Sequence, residues 1–201
     1  MNMYKKITLV FVLLFSQIAV QSQKIDAIEM LKLLRMVGRE AYDSAYQGSL
    51  KMLEAEENAN NNYRGMAVYI NILSAQGLVS KGKMTHQQLL DHVNGYKGQK
   101  IISGPYPYAD SGTLRFNAAS FQTLNGVPVG KITTTNPDGT SIFAFEDYRL
   151  IRQPAKIEWY KGKLIGFSGI LEEIKVNPNE STIWISRLYV QDATVMVFTG
   201  W

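Results

Sequence analysis

Near Gly98 the hydrophobic pattern of this 201-residue chain changes period, and the change rules out most architectures. Before it, apolar residues recur every three or four positions, as the 3.6-residue turn of a helix requires. After it they alternate and are broken by turn residues, as half-buried strands require. Helices followed by strands, without interleaving, exclude an all-helical bundle and a parallel α/β sheet. The fold class is therefore α+β, with N-terminal helices, about three of them, packed on a largely antiparallel C-terminal sheet.

Within the first half, Ile25, Ile28, Leu31, Leu34, Val37, Ala41, Ala45, Leu50 and Leu53 lie on one helical stripe. The spacing predicts a long amphipathic helix over residues 24–57, broken near Gly48 and ended by the asparagines that start at Asn58, whose side chains compete for their own backbone. A second helix is expected over 63–76 with Gly77 as its C-cap. Thr85 followed by Gln88 is a capping box, so a third, short helix starts there and stops near Gly95.

In the second half, the turn chemistry divides residues 99–201 into about eight strands. Asn125-Gly126 marks a two-residue hairpin, because both central residues of that turn need positive φ. Asn136-Pro137-Asp138-Gly139 and Asn177-Pro178-Asn179-Glu180 mark further turns. The strands expected are 99–103, 114–124, 127–135, 140–152, 156–160, 163–176, 182–190 and 194–199. Residues 141–145 and 163–171 are apolar on both faces, which places them centrally in a barrel or under a helix, and a small barrel or sandwich backed by the N-terminal helices is expected. The prolines and glycines of 104–112 make that segment a loop.

Three divisions follow: a signal peptide over 1–22, a helical region over 23–98 and a β-rich region over 99–201, the last two being one domain or two. Lys5-Lys6 precede an apolar run from Ile7 to Phe15, and Val20 and Ser22 suit cleavage before Gln23. The run falls below the roughly 20 residues that span a bilayer as a helix. An exported, soluble protein of the periplasm or extracellular space is expected. The absence of cysteine removes disulfides, thiolate chemistry and lipidation at a lipobox. The net charge of +4 has no basic run behind it, so nucleic acid is not an expected partner.

Catalytic signals are sparse. His86 and His92 are six apart, against the four that a helical metal pair requires, and read as surface residues; no metal and no cofactor are expected. Gly166-Phe167-Ser168-Gly169-Ile170 departs from the nucleophile elbow at Ile170 and lies inside a strand, where its glycines read as relief of crowding or a bulge. The acids Glu146-Asp147 and Glu172-Glu173 admit a carboxylate hydrolase using Glu146 and Glu173. Asn179-Glu180-Ser181 is a glycosylation triplet on a turn. The loop 105–112 is the candidate binding segment: Tyr106, Tyr108 and Asp110, stiffened by prolines, offer contact area at low entropic cost. The competing reading is that these tyrosines fold back over the sheet. The expected function is an exported binding or interaction protein with an unidentified protein or glycan partner. An extracytoplasmic hydrolase and a subunit of a surface or envelope assembly are the alternatives.

Overall fold

A computed structural model describes residues 28–55, 61–110, 116–181 and 183–198; the expected signal peptide, the expected helix end at Asn58 and the start of the strand expected over 114–124 lie outside these residues. Residues from Leu33 onward belong to one compact unit and those before it to another. Among the described residues four helices, where about three were expected, precede the sheet: α1 (28–38), α2 (Tyr42–Ala55), α3 (Asn61–Ser80) and α4 (His86–Asn94).

The long N-terminal helix breaks at Glu40 rather than at Gly48. Glu40 takes φ 59°, with Glu40 N donating to Val37 O at 3.0 Å and Ala41 N to Met36 O at 2.9 Å, the Schellman pattern that closes a helix C-terminus. Gly48 continues α2, where a Cβ would meet Leu33 Cδ2 at 2.4 Å; its role is close approach of two helices. Gly77 likewise does not cap. It lies inside α3 against the Tyr42 ring, and the Schellman turn forms at Gly82 (φ 67°), with Lys83 N donating to Leu78 O. The capping box of α4 is present, Gln88 N donating to Thr85 Oγ1 at 3.1 Å and Thr85 N to Gln88 Oε1 at 2.8 Å.

Helix α3 is the hub of the molecule. Residues 67–79 are buried without interruption, so this helix has no solvent face and only a weak amphipathic period. Two of its buried amides donate internally: Asn71 Nδ2 to Ser49 Oγ of α2 at 2.9 Å, and Gln76 Nε2 to Ser186 Oγ in the sheet at 2.8 Å.

Among the described residues the sheet is open, with seven strands, and is neither barrel nor sandwich. Its strands are β1 (Lys100–Ile102), β2 (Tyr106–Pro107), β3 (Ala118–Leu124), β4 (Val127–Thr135), β5 (Ile142–Leu150), β6 (Leu164–Val176) and β7 (Trp184–Phe198). The order is β1-β6-β7-β5-β4-β3, with β2 beside β6; every ladder is antiparallel except β5 with β7. Between β2 and β3 a single bridge, Tyr108 to Ala119, takes the place of a ladder. The parallel pair arises because β7 inserts between β5 and β6. The residues 151–163 that join those two strands must therefore cross the width of a strand, and they form a 3-10 turn, Ile157–Tyr160, where a strand was expected over 156–160.

Two further differences bring eight expected strands to seven. The last two are one strand, β7, which absorbs an irregularity at Asp192 (φ 51°) instead of ending there. The loop 104–112 contains the short β2. The turn Asn125 (φ 50°) and Gly126 (φ 80°) joins β3 to β4 as expected, and the glycosylation triplet has its asparagine exposed on the β6–β7 turn. Among the described residues no helix is long and apolar enough to cross a membrane.

Candidate functional site

Strand alternation places Glu146 and Tyr148 on the face of β5 turned to the helices, and Asp147 and Arg149 on the other. Glu146 is 1% exposed. Its Oε1 accepts from Tyr69 OH (3.0 Å) of α3 and Thr134 Oγ1 (3.0 Å) of β4, and its Oε2 from Tyr148 OH (2.7 Å). Tyr106 of β2 completes the cluster, its hydroxyl 2.8 Å from Tyr69 OH and 3.2 Å from Thr134 Oγ1.

Proton counting determines the favoured state of this cluster. Five oxygen–oxygen contacts share four hydroxyl protons while Glu146 is ionised, so one contact lacks a proton. A protonated Glu146 supplies it by donating to Tyr69 or Thr134, whose own hydroxyl then turns to donate to Tyr106. Burial acts in the same direction, raising the Glu146 carboxyl from its ordinary 4.5 to about 7, against the bonds from Tyr148, Tyr69 and Thr134 that favour the anion. Burial also raises the Tyr69, Tyr106 and Tyr148 hydroxyls.

Sequence reasoning flagged Glu146 and Tyr106 separately, and the structure brings them together. It does not bring Glu146 to Glu173. Register pairs Asp147 with Tyr189 and Tyr189 with Glu173, so Glu173 shares the face of Asp147, opposite Glu146, and forms an ion pair with Lys175 at 3.5 Å. The two carboxylates cannot flank one scissile bond. In the 105–112 loop, Tyr106 turns inward, and Tyr108 stacks near Phe121 (5.7 Å) and Tyr160 (6.0 Å). Asp110 is exposed and lies 3.9 Å from Lys161.

The structure departs from the surface reading fully at His86, which is buried, and in part at His92, which is half-buried. His86 is 6% exposed, and its Nε2 lies 3.3 Å from Ser181 O. His92 Nε2 lies 2.5 Å from Asn71 Oδ1 in a cluster that Tyr96 OH joins at 3.0 Å, and burial lowers the His92 imidazole. The helix that carries them is covered on both of these sides, which its sequence alone does not reveal. Among the described residues no group of three or more His, Asp or Glu could hold a metal ion.

The solvent-facing side of the sheet carries a groove of about 410 Å³, within the range of small-ligand sites. Leu124, Val127 and Val129 form its apolar wall, and Asp147, Arg149, Glu172 and Tyr189 supply charge and hydrogen-bonding groups. Arg149 reaches Glu172 at 3.8 Å, while Asp147 is held between Lys131 at 3.5 Å and Arg187 at 3.8 Å. Arg149 and Tyr189 were not singled out from the sequence. Alternation with Asp147 identifies the face of Arg149, but the parallel neighbour that brings Tyr189 beside it leaves no local signal. No family model, no curated protein and no solved structure matches this chain.

Proposed function

We propose that this is an exported binding protein without catalytic machinery, and that its recognition site is the groove on the solvent face of the sheet. The observation that carries the reading is the composition of that groove: an apolar wall of Leu124, Val127 and Val129 opposite Arg149, Glu172 and Tyr189. A ligand with an apolar body and polar ends of both signs fits it, and a short segment of a partner protein has that chemistry. The hydrolase alternative loses support because Glu146 is enclosed by hydroxyls and Glu173 lies on the opposite face.

Amide chemical-shift mapping with pools of short peptides and oligosaccharides tests the proposal. Peptide-induced shifts should cluster at Leu124–Val129, Arg149 and Tyr189, and Arg149→Ala or Tyr189→Ala should weaken binding about tenfold or more. Binding that maps elsewhere, or that both variants leave intact, overturns it.

A further inference from the structure

The connection between β5 and β6, residues 151–163, carries three exposed large apolar side chains and four basic ones. Ile151 is 55% exposed, Trp159 51% and Ile157 38%. Around them stand Arg152, Lys156, Lys161 and Lys163 against the single acid Glu158. Lys161 is near Asp110, and Lys163 Nζ lies 3.2 Å over the Trp159 ring. Arg152 and Lys156 have no carboxylate within 4.0 Å among the described residues.

This segment is also held in place. Tyr160 is buried, its hydroxyl accepting from Ala155 N at 3.2 Å and its ring lying 4.9 Å from that of Phe121. Ile151 N donates to Ala193 O at 3.0 Å, tying the start of the segment to β7. A hollow of about 410 Å³ between residues 150–155, Tyr160 and residues 193–195 adjoins it. Exposed Ile and Trp side chains on an anchored support incur little further ordering cost on binding.

We propose that residues 151–163 are a peripheral docking platform for an anionic lipid surface, with Ile151, Ile157 and Trp159 entering the headgroup–acyl boundary and Arg152, Lys156 and Lys163 facing lipid phosphates. Trp with its ring apolar and its N–H polar belongs at that depth, and Lys and Arg extend from it to the charged layer. The charge is complementary to phosphate, and ammonium groups on flexible stems satisfy phosphate without a fixed hydrogen-bond geometry.

The test uses the full chain with Trp184→Phe and Trp201→Phe, which leaves Trp159 as the sole tryptophan of the three. All variants share the same apolar N-terminal run, so its contribution cancels between variants, and between vesicle compositions the readout is the environment of Trp159 itself. With vesicles of phosphatidylcholine and phosphatidylglycerol, Trp159 emission should shift blue and become shielded from acrylamide, with neither change on phosphatidylcholine alone. Added salt should weaken the association. Arg152→Glu with Lys156→Glu should lower partitioning more than twentyfold, taking about fivefold per charge removed. Trp159→Ala should lower it about tenfold. Ile151→Asp provides a second exposed variant should Trp159→Ala prove unstable. Vesicle binding that leaves Trp159 open to quencher, equal binding to neutral vesicles, or no binding at low salt overturns the proposal; the last outcome transfers the surface to an acidic protein partner.

Discussion

Glu146 is the residue at which folding stability and proton uptake meet. Its unfolded carboxyl titrates near 4.5 and its folded carboxyl near 7, so between those values the unfolded chain releases a proton that the folded chain keeps. Stability therefore falls as pH rises through this window, by about 3 kcal/mol once both are passed, and the contribution vanishes below it. Glu146→Gln cannot ionise. Its denaturation midpoint should gain on the parent between pH 4.5 and about pH 8, and urea titrations at the two ends measure the gain. A constant gap would show that the carboxyl ionises as readily folded as unfolded. Tyr148→Phe removes the donor to Oε2 and should move the titration to higher pH, as well as costing about 1–3 kcal/mol.

Among the elements, α3 and α4 show opposite degrees of legibility. The capping box of α4 is local, two reciprocal bonds across three residues, and Thr85→Ala should cost about 1 kcal/mol in a thermal or denaturant melt. At Gly77 of α3 the ordinary helix preference should invert. Alanine there places a methyl 2.3–2.6 Å from atoms of the Tyr42 ring, so Gly77→Ala should destabilise by about 1–3 kcal/mol although alanine favours helix. Calorimetry on the variant reads the sign directly. The sequence of α3 suggested a C-cap at this position because a glycine after an amphipathic run usually ends it. Here the neighbour that needs the space is a ring from another helix.

At the scale of the molecule, α3 joins the two halves through buried polar bonds, Tyr69 to Glu146 and Gln76 to Ser186, and through Gly65 lying against Ile102. Neither half can be removed without leaving those groups unsatisfied. Helical signal in far-ultraviolet circular dichroism and aromatic signal in the near-ultraviolet should therefore be lost in one coincident transition. Helix surviving loss of the aromatic signal would divide the chain into separately folding parts.

The sequence by itself determined what depends on neighbours a few residues apart. Period distinguished the helices from the strands, the capping box placed α4, Asn125-Gly126 placed the β3–β4 turn, and alternation separated Glu146 from Asp147. Tertiary structure alone decided what depends on distant neighbours. The insertion of β7 between β5 and β6 produced an open sheet with one parallel ladder instead of a barrel, because strand order is set by core packing and not by the turns. The same packing brought Tyr69, Tyr106 and Thr134 around Glu146, buried His86 and half-buried His92, and left Ile151, Ile157 and Trp159 outside. None of these side chains carries its burial in its own sequence neighbourhood.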